Sequence, residues 1–162
     1  MDEDAAALVP QEIKDKGTLT VGTDATYAPS EFLAGDGKTI QGFDVDLLTA
    51  VAKKLDLKVN FVPAKFDSII TGVQGGKYDL GMSSFTINAE RMQQATMVSY
   101  YSAGTQWASA PGNPKKVDPD KPCSATLAVQ KATTQQEIDL PPKIAACQKA
   151  GTPMRDPLIY EG

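Results

Sequence analysis

The chain contains no histidine. That excludes a Ser-His-Asp triad, a histidine-ligated zinc and imidazole acid–base catalysis. It contains two cysteines, Cys123 and Cys147, too few for a thiolate metal centre. They are not spaced as Cys-x-x-Cys, so a redox motif is also excluded. No run of basic residues occurs, and the net charge is −4 with an isoelectric point near 4.8. Nucleic acid and anionic membrane surfaces are therefore poor partners. No apolar stretch approaches membrane-spanning length. No Gly-x-Gly-x-x-Gly and no phosphate-loop motif is present, and no internal repeat stands out. The start, Met1-Asp2-Glu3-Asp4, is acidic where a signal peptide is basic. The expectation is that a leader was removed and a methionine added, or that none existed. No metal site and no cofactor is expected.

What remains is an ordinary globular composition, 41% hydrophobic and 22% charged over 162 residues. Leu19, Val21 and Gly22 predict a short buried strand, left by the loop Asp24 to Pro29. Gly35 to Lys38 predicts a turn. Val45, Leu47, Leu48, Val51, Ala52 and Leu55 recur at helical spacing, with Asp44 as the expected cap. Val59, Phe61 and Pro63 mark a second strand. Asp67 is the expected cap of a second helix, which ends at Gly75-Gly76. Tyr78 to Ser84 reads as a third strand. The alternation is the α/β pattern with a parallel sheet. A short helix is expected over Met92 to Met97 and another strand over Thr105 to Ala110. The proline-rich run from Pro111 to Pro122 marks a boundary. Thr126 to Gln130, Thr134 to Lys149 and Pro157 to Tyr160 read as strand, helix and strand, with Pro141-Pro142 interrupting the helix. The expected organisation is 1–110 as a first lobe, 111–122 as hinge or linker, and 123–162 as a partial second lobe. One β-α-β unit cannot cover both faces of its sheet, so this second lobe looks unfinished.

The most informative segment is Ser83-Ser84-Phe85-Thr86-Ile87-Asn88-Ala89-Glu90-Arg91. Hydroxyls and an arginine stand where an apolar strand gives way to a polar helix, with Asn88 a plausible helix cap. Helix N-termini favour anions, and a guanidinium matches a carboxylate bidentately. Thr133-Thr134-Gln135 opens another helix in the same manner. In α/β proteins, ligands gather at the C-terminal ends of parallel strands. There Asp24, Tyr27, Phe66, Ser83, Ser84, Thr86 and Arg91 would converge. Each has a bland alternative: Tyr27 and Phe66 as rim or core aromatics, Asp24 as a turn carboxylate, Ser83 and Thr86 as partners of local backbone, Arg91 as a surface partner of Glu90 or Asp46. Cys123 and Cys147 fit a disulfide across a helix, the alternative being two buried thiols; a disulfide implies an oxidising compartment.

The chain resembles the amino-acid-binding family of bacterial extracellular solute-binding proteins, which feed ABC importers. The residues that carry the resemblance are Gly17 to Pro29, Gly42-Phe43-Asp44-Val45-Asp46-Leu47, Gly76-Lys77-Tyr78-Asp79-Leu80, the stretch 83–91, and Gln130-Lys131-Ala132-Thr133-Thr134-Gln135. The resemblance implies a type II periplasmic-binding-protein fold of two α/β lobes, periplasmic or extracellular, working with a transporter permease and without catalysis. It implies that Arg91 holds a ligand α-carboxylate with help from Thr133 and Thr134. Ser84 and Thr86 then hold the ammonium, Tyr27 and Phe66 flank the side chain, and Asp24 meets its far end. The expected ligands are arginine, lysine, ornithine, histidine or glutamine. The chain departs from the family pattern at two places: Ala132 stands where glycine is usual, and Ser124-Ala125 replaces a common Gly-Lys turn. Family members also run on for roughly a further half-length, which carries an aspartate that pairs with the ammonium. A truncated, split, domain-swapped or engineered form with weak or no binding is therefore an alternative, with self-association or a complementing fragment expected. A dehydratase or a sensor domain on the same scaffold is a further alternative.

Overall fold

The computed structural model describes all 162 residues, in two compact units, Met1–Met97 with Gly162 and Val98–Glu161. In the first, helices α1 (Glu3–Ala7) and α2 (Gln11–Lys16) precede strand β1 (Thr18–Thr23). Gly17 ends α2 in the left-handed conformation at φ 64°. Three short strands follow, β2 (Thr26–Tyr27), β3 (Glu31–Leu33) and β4 (Ile40–Gln41), then α3 (Phe43–Lys54), β5 (Lys58–Pro63), α4 (Phe66–Gln74), β6 (Leu80–Gly81) and α5 (Ala89–Met92). The central sheet has the order β5-β1-β6 and is parallel throughout, with Val21 level with Phe61 and Leu80. Val21, Leu48 and Met82 form the core, with Leu19, Val59, Phe61 and Leu80 packed against it.

The apolar spacing of the α3 segment does produce a helix, but only Leu48 and Ala52 of its apolar residues are fully buried. Leu47 and Val51 remain 40% and 43% exposed, so a helical repeat does not by itself decide which apolar residues enter the core. Asp44 is not the cap. Gly42 occupies that position, and the backbone carbonyls of Pro29 and Ser30 accept from Phe43 N and Asp44 N at 3.2 and 3.0 Å. Only glycine fits there: φ is 134°, and a Cβ would lie 2.1 Å from the Ser30 carbonyl oxygen. The carboxyl of Asp44, relieved of capping, is fully buried. Asp67 likewise sits inside the first turn of α4, whose cap is Lys65.

The residues read as a loop and a turn between Asp24 and Gln41 instead form a small antiparallel sheet, β2-β3-β4. The short helix after β6 covers Ala89–Met92 rather than Met92 to Met97, because Asn88 caps it, its side chain accepting from Arg91 N at 2.8 Å.

The second unit holds β7 (Ala128–Gln130), a π-helical turn (Gln135–Asp139), α6 (Leu140–Lys149) and β8 (Leu158–Tyr160). β7 and β8 pair in parallel, Val129 level with Ile159. Pro141-Pro142 marks the change from π to α geometry, since proline is tolerated in a helix's first turn. Thr105 to Ala110 forms no strand, having no neighbouring strand to pair with. The compact units divide at Met97 and Val98, ahead of the proline-rich run. In this unit Pro122, Thr133, Leu140 and Cys147 are the buried positions. Cys123 and Cys147 form a disulfide with Cα atoms 5.2 Å apart, tying the segment before β7 to α6 and reinforcing a thin core.

Candidate functional site

Parallel strands send their following loops to one edge of the sheet. Asp24 and Tyr27 lie past the end of β1, Phe66 past the end of β5, and Ser83 to Thr86 past the end of β6. The strands end in register: Ala64 N donates to the Thr23 carbonyl at 2.9 Å, and Met82 N to the Gly22 carbonyl at 3.0 Å.

These loops bring aromatic rings together. The centroids of Tyr27 and Phe66 are 6.0 Å apart, and those of Phe66 and Phe85 4.3 Å, both pairs stacked. Arg91 lies against this wall, its guanidinium carbon 5.6 Å from the Phe66 centroid and 5.4 Å from that of Phe85. Its Nη1 donates to the Thr86 carbonyl at 2.8 Å. Arg91 is only 6% exposed, so it is not a surface arginine. A short helix capped by Asn88 places it in the first turn, facing back over the strand end.

Asp24 is buried, and the Thr26 hydroxyl donates to it at 2.8 Å. Burial, and then the negative charges of Asp24 and Glu31, push the Tyr27 phenol up to about 12, with Arg91 pulling the other way. Tyr27 therefore stays protonated at neutral pH and can only act as a hydroxyl. Ser84 and Thr86 are exposed at the mouth of the turn. Ser83 is buried behind it, and its hydroxyl donates to Glu31 Oε1 at 2.5 Å.

In the second unit, Thr133, Thr134 and Gln135 gather past the end of β7. The Thr133 hydroxyl donates to the Gln130 carbonyl at 2.7 Å and accepts from Gln136 N at 3.3 Å, closing the turn into the helix. Gln135 Nε2 donates to the Thr105 hydroxyl at 3.1 Å. Ala132 precedes them at φ 59°, a conformation natural to glycine.

Two site residues escape sequence reasoning. Phe85 lies inside the segment 83–91 but is given no role from the sequence, although an aromatic inside a polar loop is itself a signal of a wall. Glu31 lies in a stretch without usable periodicity, and only the structure shows it to be wholly buried. The assembled site offers an aromatic slot, a buried acid, exposed hydroxyls and a guanidinium. Groups of these kinds suit a small molecule carrying charges of both signs.

Residues 19–152 match the family described as bacterial extracellular solute-binding proteins, family 3. Among curated proteins, the chain is 35% identical to the arginine-binding protein ArgT of Corynebacterium glutamicum over 155 residues, 96% of this chain and 51% of the relative. Among solved structures, it resembles the ancestral amino acid-binding protein AncCDT-1, a precursor of cyclohexadienyl dehydratase, at 37% identity and a TM-score of 0.76, covering 94% of this chain and 64% of the other. It also resembles the arginine-bound form of domain 1 from TmArgBP, at 38% identity and a TM-score of 0.50, over 52% of this chain and 67% of that one. The chain thus spans about half the length of the curated relative with which it aligns over nearly its whole length.

Proposed function

The chain belongs to family 3 of the bacterial extracellular solute-binding proteins, and from that membership we propose that it binds a polar amino acid for an ABC importer, outside the cytoplasm, with a cationic or amide side chain preferred. The observation that carries the proposal is the stacked wall of Tyr27, Phe66 and Phe85, with buried Asp24 to one side and Arg91 against the rings. Arg91 takes the α-carboxylate, its planar fork offering two parallel bonds. Ser84 and Thr86 receive the ammonium. The extended side chain lies along the rings of Tyr27 and Phe66 toward Asp24, which meets a guanidinium, ammonium or amide tip. Cation–π contact favours a cationic chain by a further ~0.5–2 kcal/mol. Thr133, Thr134 and Gln135 offer hydroxyl and amide groups of the second unit that suit a carboxylate.

Three further observations support this reading. An arginine-binding relative aligns with nearly the whole chain. The arginine-bound domain 1 of TmArgBP supports binding by a first lobe without the full two-lobe protein. The Cys123–Cys147 disulfide suits a periplasmic or cell-surface location. The partner is the importer's permease. A dehydratase needs an accessible general acid. Glu31 has the raised affinity for a proton that such an acid would need, but it is fully buried.

The test is calorimetric titration of the chain and of Asp24→Asn with L-arginine, L-aspartate and L-leucine. Arginine is expected to bind tightest to the unaltered chain, and Asp24→Asn to erase the preference for a cationic over a neutral side chain. Tightest binding of aspartate or leucine, or an unchanged preference in Asp24→Asn, would overturn the proposal.

A further inference from the structure

Behind the exposed hydroxyls of the site lies a buried pair of carboxyls. Glu31, on β3, and Asp44, in the first turn of α3, are both 0% exposed. One oxygen of Glu31, Oε1, accepts from the Ser83 hydroxyl at 2.5 Å and from Ser84 N at 3.2 Å. One acceptor thus grips a side chain and the next backbone amide, fixing the turn from which Ser84 and Thr86 emerge. The other oxygen, Oε2, is buried and meets no N–H or hydroxyl donor. The Asp44 carboxyl is the neighbouring acid that acts on Glu31, by hydrogen bonding and by charge. Two ionised carboxylates are both acceptors and cannot bond to each other. A proton between them satisfies both.

We infer that Glu31 is the positioning residue of the ligand-binding serine turn, and that it holds the turn only while it shares one proton with Asp44. The inference deepens the function proposed above, since it rests on Ser84 and Thr86 contacting the amino acid. Burial, opposed by the Ser83 bond and reinforced by Asp44, holds the Glu31 carboxyl up at about 8. The groups around it are Asp44 from α3, Ser83 and Ser84 from the end of β6, and Tyr27 from β2, with Asp24 and Arg91 beyond the phenol. Tyr27 titrates far higher and leaves the mildly alkaline range to Glu31. Loss of the proton sets two negative charges against each other in a dry site. Glu31 then moves away from Asp44 and takes the Ser83–Ser84 grip with it.

Glu31→Gln separates this from a merely structural role. Its amide oxygen still accepts from Ser83 and Ser84, and its NH2 still donates to Asp44, but it cannot titrate. In the ¹⁵N-labelled full chain, the Ser84 amide resonance is followed from pH 6 to 10. It should titrate as one proton in the mildly alkaline range in the unaltered chain and stay still in Glu31→Gln. L-arginine is then titrated at pH 6.5 and 9. The fall in affinity should be about tenfold larger in the unaltered chain, the linkage of one proton carried one pH unit past its midpoint. Titration of the ligand's own ammonium is common to both proteins and cancels in the comparison. Glu31→Ala should bind weakly at both pH values if it folds. A Ser84 amide that does not move, an identical titration in Glu31→Gln, or an equal fall in affinity in both proteins would overturn the inference. A titrating Ser84 amide with no arginine binding at either pH would keep the shared proton and overturn the amino-acid reading instead.

Discussion

Replacement of Arg91 by alanine removes two things at once, and the structure allows each to be sized. The guanidinium donates to the Thr86 carbonyl and rests on the faces of Phe66 and Phe85, with 6% of the residue exposed. A hydrogen bond to a charged group contributes about 1.5–3 kcal/mol. Contact with an aromatic face contributes about 0.5–2 kcal/mol. Desolvation of the buried cation opposes both, so a net destabilisation of about 1–3 kcal/mol is expected. In a unit of this size that lowers the melting temperature by roughly 5–15 °C. The alternative of a surface arginine predicts at most about 1 kcal/mol of stability and no effect on binding. Loss of the pairing with a ligand carboxylate costs about 2–5 kcal/mol in a water-shielded site. That is a weakening of about 30-fold to several-thousand-fold. Arg91→Lys keeps the charge but not the planar fork, so it should fall between the two. The assay is calorimetric titration with L-arginine well below every melting transition, paired with thermal melts. Arginine affinity within threefold of the unaltered chain in a folded Arg91→Ala would refute the assignment of the carboxylate to this residue.

Ala132 sits at φ 59°, where a side chain costs about 1–2 kcal/mol and glycine nothing. Ala132→Gly recovers that cost less about 0.4–1 kcal/mol of added freedom in the unfolded chain, and the second unit should melt a few degrees higher. A lower melt would contradict the strain. The Cys123–Cys147 bridge, with a sequence separation of 24, is expected to stabilise by ~3.5 kcal/mol through loop closure. Thiol titration of the denatured, unreduced chain should find no free thiol, whereas two would contradict the bridge.

The parallel sheet is legible in the sequence because Leu19 to Gly22, Val59 to Pro63 and Tyr78 to Ser84 are apolar runs separated by helical spacing, and local pattern decides such elements. The site at their C-terminal ends follows from topology alone. Glu31, Phe32 and Leu33 are different. Three residues carry too little periodicity to announce a strand, and β3 exists because β2 and β4 flank it. The same holds for Asp44. An acid opening a helix reads as a cap, and only the backbone carbonyls of Pro29 and Ser30, brought in by the Gly42 turn, release it to act on Glu31. Thr105 to Ala110 shows the converse. Its residues favour a strand, but strand formation needs a partner, and none of the second unit's strands pairs with it.

The central claim, that this chain recognises a polar amino acid through the edge built by Asp24, Tyr27, Phe66, Ser84, Thr86 and Arg91, is tested most directly by equilibrium dialysis. The purified 162-residue chain is dialysed against an equimolar mixture of amino acids, and the retained fraction is identified by mass spectrometry. Retention of arginine, lysine, ornithine, histidine or glutamine above aspartate and leucine is the predicted result. Equal partition of every amino acid across the membrane, or retention led by aspartate or leucine, would contradict it.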